Sequence, residues 1–219
     1  MKSEEKLARI KNSIVEGDSQ KTIDYVNEAL NLGLDYKEIL NEAIIKGSIE
    51  VGELYEQEKY FLPDMLMTGD AINTAMDLLK NSFIEVSEIT SKGDILIGTV
   101  EGDVHDIGKS LVVSLLKGQG FNVIDLGSDV SPEKFVLKAK EIKPDVIGLS
   151  GLLTMSISKM HETILLLKKE KIFSKIIIGG GIVSKDSCAM IGADDCAKDG
   201  WEGVKKINIL IENKSKSGE

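Results

Sequence analysis

The chain has 219 residues, 42% of them hydrophobic, and its 27 basic and 36 acidic side chains leave a formal net charge of −9. That length supports one large domain or two small ones with buried cores, and the apolar content argues against intrinsic disorder. Arg9 is the sole arginine, so this acidic chain is a poor candidate for nucleic-acid binding or bidentate phosphate recognition.

No apolar run reaches the ~18 residues of a membrane span, and the N-terminus MKSEEKLARIKNS lacks the apolar core of a secretory signal. Cys188 and Cys196 form no CxxC pair, which argues against a thiolate metal site or a disulfide scaffold. The expectation is a soluble, cytoplasmic protein with no membrane partner. The charge is unevenly placed: residues 1–88 hold 9 Lys/Arg and 18 Asp/Glu, whereas residues 89–219 are balanced.

Helical spacing dominates residues 1–88. Leu7, Ile10 and Ile14 form one stripe, and Ile23, Val26 and Leu30 a second, with Gly33 as its stop signal. A third runs through Ile39, Leu40, Ala43, Ile44, Val51 and Leu54. The fourth follows Pro63, a residue suited to a first helical turn, and continues through Met65, Leu66, Met67, Ala71, Ile72, Ala75, Met76 and Leu79. Four helices with short connections predict a four-helix bundle. Both periodicities lapse over FIEVSEITSK (83–92), which reads as a linker.

Residues 89–219 change character. DILIGTV (94–100), NVIDL (122–126), DVIGLS (145–150) and KIIIGG (175–180) are short apolar runs separated by helical patterns, with a weaker fifth within 194–198 and a last helix from about Trp201. This alternation predicts an α/β domain, a flavodoxin-like (Rossmann-like) doubly wound parallel sheet of five strands.

In such a sheet, ligands bind beyond the carboxyl ends of the strands. Those segments here are 101–108, 127–130, 151–156, 179–184 and 199–200, all glycine-containing, which favours a bulky planar ligand. The first, Glu101 to Gly108, carries Glu101, Asp103 and Asp106 instead of a glycine-rich phosphate cradle, so nucleotide and flavin phosphates are disfavoured. A phospho-acceptor receiver domain would need an aspartate at the end of the third strand, where Gly148-Leu149-Ser150-Gly151 stands. Of two histidines, His161 lies in a helical stretch and reads as an ordinary side chain. His105 sits at a ligand-binding strand end two residues after Asp103, a carboxylate that can orient it as one orients a metal-ligating imidazole. No second histidine, cysteine pair or carboxylate cluster completes a protein-built site. A single protein ligand fits a metal whose other positions are filled by a macrocycle.

The segment Asp103-Val104-His105-Asp106-Ile107-Gly108, preceded by Gly102, resembles the DxHxxG motif of cobalamin-binding domains. The family's SxL and GG elements are matched by Ser150-Gly151-Leu152 and Gly179-Gly180, in order and at strand ends. The helical half resembles the cap that accompanies this domain in methionine synthase and in small corrinoid proteins of methyltransferase systems. Tyr60-Phe61-Leu62-Pro63-Asp64-Met65 is similar to the entry to that cap's last helix.

The resemblance implies a cap domain over 1–88 and a cobalamin-binding domain over 89–219. It implies cobalamin held base-off/His-on, with His105 as the cobalt ligand, Asp103 bonded to it, and Ser156 extending a relay towards solvent. Gly102, Val104, Asp106, Ile107 and Gly108 complete the motif loop. Ser150, Leu152 and Thr154 match the wall of the nucleotide-tail cleft, and Gly179 and Gly180 the glycines beside the tail. Met155 stands where methionine synthase has proline, and Gly181 extends the glycine pair. The implied function is a corrinoid methyl carrier cycling between cob(I)alamin and methylcobalamin. It would be a non-catalytic subunit loaded by a substrate-specific methyltransferase, unloaded by a second one acting on a pterin or thiol, and maintained by a reductive activator. Phe61, Leu62 and Met65 are either a shield for the methyl group or plain bundle core. A cobalamin-dependent sensor or regulator is the alternative, and the small subunit of an adenosylcobalamin mutase a further one. The sensor would need a DNA-reading element that the N-terminal residues do not supply, and the mutase subunit would not need the cap.

Overall fold

The computed structural model describes residues 3–82 and 91–217. It divides into two compact units, Met1–Ser91 with Ser114–Phe121, and Lys92–Val113 with Asn122–Glu219. Most of the expected linker, residues 83–90, lies outside the described residues.

The first unit holds α1 (Ser3–Val15), α2 (Ser19–Asn31), α3 (Tyr36–Ile39), α4 (Lys46–Glu56) and α5 (Leu62–Ser82). A π-helical segment, Leu40–Ile45, joins α3 to α4, so the third predicted helix is one run from Tyr36 to Glu56 with a widened turn inside it. Leu7, Ile10, Ile14, Val26, Ile39, Ile44, Val51, Met65 and Ile72 form the buried core. The inward face of α2 is centred on Thr22, Val26 and Ala29, with Ile23 and Leu30 only flanking it. Thr22 is fully buried with its hydroxyl satisfied, Oγ1 lying 2.9 Å from both the Asp18 carbonyl oxygen and Ser13 Oγ. Gly33 ends α2 with a φ of +77°, and its N–H closes on the Leu30 carbonyl at 2.9 Å. Asp64 Oδ2 accepts from the Phe61 N–H at 2.8 Å, capping the start of α5. Met65 is buried, whereas Phe61, Leu62 and Met67 are exposed.

The second unit is a parallel five-stranded sheet: β1 (Asp94–Thr99), β2 (Asn122–Asp125), β3 (Val146–Ser150), β4 (Lys175–Gly179) and β5 (Asp195–Ala197), in spatial order β2-β1-β3-β4-β5. That is the doubly wound order, reversing between β1 and β3. The strands alternate with α6 (Ile107–Gly118), α7 (Pro132–Ile142), α8 (Ser156–Lys169) and α9 (Lys185–Ile191), and α10 (Gly200–Ser217) follows β5. Leu96, Ile147, Leu149, Ile176 and Ile178 of the sheet share one core cluster with Phe135, Val136, Met160, Ile164, Leu167 and Ile191 from α7, α8 and α9. The helix α9 is an element that apolar periodicity did not reveal. It is seven residues long and starts from a capping box between Ser184 and Ser187.

Register is what gathers the site. Thr99 pairs with Ser150, Ser150 with Gly179, and Gly179 with Ala197, so four strands end on one line. The loops that follow them therefore leave the sheet side by side at its switch point.

Candidate functional site

The organising group is Asp103, in the loop between β1 and α6. Its side chain is completely buried, which by itself opposes ionisation. Five donors compensate. Oδ1 receives the His105 backbone N–H at 3.0 Å and pairs with His105 Nδ1 at 2.7 Å. Oδ2 receives the Leu152 N–H at 2.7 Å, the Leu153 N–H at 3.1 Å and the Ser156 hydroxyl at 2.7 Å. The burial cost is thus outweighed by the hydrogen bonds from Ser156, Leu152 and His105, and the carboxyl is held well below the usual carboxylate range. An ionised Asp103 is an acceptor only, so it fixes the proton of His105 on Nδ1 and leaves the Nε2 lone pair as the ring's remaining donor.

The imidazole itself is half exposed. Around it the loops present apolar side chains to solvent: Val104 is 71% exposed, Ile107 59%, Met155 56% and Leu152 48%, with Leu153 less so. A group of large exposed apolar residues centred on one orientable nitrogen describes a platform for a flat, apolar-edged ligand.

The motif loop is braced from three directions. Thr99 Oγ1 donates to the His105 carbonyl at 3.1 Å. In the loop after β2, Asp129 adopts a left-handed φ of +54°, an excursion that aspartate tolerates. Its carboxylate accepts from the Gly102 N–H at 2.7 Å and its N–H donates to the Asp103 carbonyl at 2.9 Å. Lys159 on α8 reaches Glu101 at 2.6 Å. Behind the loop, Lys109 in the first turn of α6 is buried and pairs with Asp125 at the end of β2 at 2.5 Å.

Sequence reasoning singled out Asp103 and His105 from one segment and Ser150, Leu152 and Ser156 from another, and the fold brings the two together. Met155 does not displace Ser156, which starts α8 against Asp103. Ser156 is fully buried, however, so its hydroxyl closes the network inside the protein, and the solvent-facing end of the network is His105. Thr154 is exposed and joins none of these bonds. Gly179 and Gly180 differ in kind. A Cβ at Gly179 would meet only the Ala197 carbonyl oxygen, at 3.8 Å, whereas one at Gly180 would lie 1.9 Å from the Gly151 carbonyl oxygen. Gly180, at φ +127°, is required by backbone contact, and Gly179 faces available room. Lys109, Asp125, Asp129 and Leu153 were missed. The one sequence cue was a lysine standing among the apolar residues of α6.

Among the described residues no group of three or more His, Cys, Asp or Glu side chains could hold a metal ion. His105 is offered singly, which suits a metal already held by a macrocycle, and the apolar platform suits the macrocycle. No helix among them is long and apolar enough to cross a membrane.

Comparison with known proteins gives the same answer independently. Residues 93–205 match the family model of a B12 binding domain, and residues 6–80 match a second B12 binding domain model. Trimethylamine corrinoid protein 1 of Methanosarcina acetivorans is 37% identical over 211 residues, covering 95% of this chain and 98% of that protein. Dimethylamine corrinoid protein 1 of the same organism is 38% identical over 213 residues, covering 96% and 100%. The crystal structure of the methanol:cobalamin methyltransferase complex of Methanosarcina barkeri contains a chain that superposes with a TM-score of 0.85 at 27% identity, covering 95% of this chain and 80% of that one. The chain belongs to the corrinoid proteins built on B12 binding domains.

Proposed function

We propose that this protein is a corrinoid methyl carrier: it receives a methyl group from a substrate-specific methyltransferase and surrenders it to a second methyltransferase. Residues 1–88 serve as the helical cap and residues 89–219 as the cobalamin-binding domain. Likeness over nearly the whole chain to trimethylamine and dimethylamine corrinoid proteins favours the carrier over a sensor. The bound corrinoid supplies a cobalt centre able to carry the methyl group. The chain's own residues would hold that cofactor.

The observation that carries the reading is the Asp103–His105 pair inside the apolar platform. Asp103 keeps the imidazole proton on Nδ1, so Nε2 is the atom that would hold the cobalt. The exposed Val104, Ile107, Leu152 and Met155 would supply apolar contacts to the macrocycle. The strand ends at Ser150 and Gly179, which lie in register, would hold the cofactor's nucleotide tail. The imidazole is half open to solvent, and its Nδ1 stays anchored to the buried Asp103 carboxylate. A reductive activator is a third partner, because a redox-active cofactor oxidised by accident must be restored. Cytoplasmic residence accords with the free thiols of Cys188 and Cys196.

The test is reconstitution of ¹⁵N-labelled protein with hydroxocobalamin. After one-electron reduction, EPR should show a nitrogen doublet, diagnostic of a protein nitrogen on cobalt, and His105→Ala should abolish it. A triplet from unlabelled nitrogen, or a doublet surviving in His105→Ala, would show the assignment to be wrong. Methyl transfer from a panel of amines, methanol, betaine and methoxy-aromatics, each with its methyltransferase, identifies the donor.

A further inference from the structure

Trp201 is the only tryptophan of the chain. It occupies the first turn of α10, directly after the end of β5, and is 8% exposed. Among the described residues, its Nε1 is the buried side-chain nitrogen or oxygen that has no hydrogen-bond partner. Indole N–H is a donor and nothing else, and leaving such a donor buried and unpaired costs about 1–3 kcal/mol. The buried Asp103 of the same site, by contrast, is met by five donors. An orphan donor in such surroundings points to a partner that the protein itself does not contain.

Its position says which partner. β5 ends in the same line as β3 and β4, with Ala197 in register with Gly179, beside which a side chain would find room. A Cβ at Gly200 would lie 3.3 Å from Val112, 3.7 Å from Leu111 and 3.8 Å from the Gly108 carbonyl oxygen, so the start of α10 packs on the first two turns of α6, which begin within the motif. Trp201 therefore stands at the ligand-binding edge of the sheet, one residue after Gly200. The sign of charge there narrows the choice. Asp199 Oδ1 caps the first turn by accepting the Glu202 N–H at 2.8 Å, and Glu202 Oε2 accepts the Lys198 N–H at 2.8 Å. Two carboxylates occupy the end of α10 where an anion would otherwise be welcome.

From these observations we infer that Trp201 Nε1 donates a hydrogen bond to a neutral acceptor, a ring nitrogen or a sugar oxygen, of the nucleotide tail of the bound corrinoid. The inference rests on the cobalamin-binding reading above. It makes Trp201 a residue that distinguishes a complete cobalamin from a corrinoid lacking the nucleotide.

A single tryptophan gives a single indole N–H resonance, which needs no assignment. With ¹⁵N-labelled full-length protein, that signal should shift downfield and become protected from solvent exchange on adding hydroxocobalamin. It should stay near its free position with dicyanocobinamide, which has no nucleotide. Trp201→Phe should bind cobalamin about tenfold more weakly while its cobinamide affinity stays within twofold of wild type, and that retained affinity reports an intact fold. An indole signal indifferent to hydroxocobalamin, or one moved equally by cobinamide, would overturn the inference even where absorption spectra show cobalamin bound. Failure of wild-type protein to bind either corrinoid would instead refute the cobalamin reading itself.

Discussion

Asp103 and Ser156, fifty-three positions apart in sequence, meet through a 2.7 Å hydrogen bond in the interior, on the carboxylate oxygen that the His105 ring does not use. The arrangement divides the labour of one carboxylate. Oδ2 is locked to the start of α8 and to the Leu152 and Leu153 backbone, while Oδ1 holds the histidine. The position of the imidazole is thereby tied to β3 and α8 as well as to its own loop.

Asp103→Asn tests that division. An amide has one acceptor oxygen and must turn its NH₂ towards one set of donors. Facing the Leu152 and Leu153 N–H groups, it leaves buried donors unpaired. Facing His105, it drives the ring proton to Nε2 and removes the lone pair. We expect a loss of about 3 kcal/mol in urea unfolding and weaker cobalt–histidine ligation in the reconstituted protein. The pH dependence has a definite sign. Because the folded carboxyl titrates below its ordinary range, its contribution is fully present above about pH 4 and is withdrawn as the pH falls further. Asp103→Asn should lack that acid limb, so the two unfolding curves converge as the medium is acidified.

Lys109 and Asp125 give an asymmetric prediction. The lysine side chain is 2% exposed and the aspartate 29%. Removing Asp125 strands a buried ammonium, whereas removing Lys109 leaves a carboxylate that is partly solvated and still accepts the Gly127 N–H at 2.9 Å. Asp125→Ala should therefore cost about 3–5 kcal/mol and Lys109→Met distinctly less, about 1–2 kcal/mol. Equal losses in denaturant titrations would show that burial of the lysine does not govern the pair.

The same pair shows where sequence reading stops. The five strands and their ends were legible because short apolar runs are local signals, and the Asp103–His105–Ser156 set came through the motif resemblance. Lys109 was not: a charged residue reads as surface until a partner sixteen positions away is placed beside it. Thr22 was missed for the same reason, since its burial depends on partners at Asp18 and Ser13. The π-helical turn at Leu40–Ile45 changes the helical phase without changing composition, so a 3.6-residue pattern passes over it. Of the exposed apolar platform, Val104, Ile107 and Leu152 were named with the motif elements, whereas the exposure of Met155 and Leu153 depends on how the loop after β3 turns and has no local signal.

The two glycines at the end of β4 should separate stability from binding. Gly180→Ala places a methyl group inside the Gly151 carbonyl and asks an L-residue to hold φ +127°. A loss of about 3 kcal/mol or more is expected. Gly179→Ala meets nothing closer than 3.8 Å and should leave the urea midpoint almost unchanged. If the nucleotide tail runs beside β4, Gly179→Ala should nevertheless weaken hydroxocobalamin binding several-fold, with cobinamide binding unaffected. Equal affinity for both corrinoids in this variant would place the tail elsewhere.

The surplus negative charge bears on partner choice. All nine excess carboxylates fall within residues 1–88. The cations there are largely committed: Lys6 and Arg9 pair with Glu28, Lys11 with Glu50, Lys21 with Glu16 and Asp18, and Lys46 with Glu42. What remains to be seen by an approaching protein is a predominantly acidic surface. A carrier that meets two enzymes in turn gains from fast, reversible association, which complementary charge provides through the encounter rate. Both methyltransferases should therefore present basic surfaces to it. Methyl-transfer rates at limiting carrier should fall about three- to tenfold between 20 and 500 mM salt as the Debye length contracts, with maximal rates at saturating carrier much less affected. Charge-reversing substitutions at the exposed Glu4, Glu5 and Glu53 should flatten that dependence. Rates that ignore ionic strength would reduce the acidic half to a solvated surface with no part in docking.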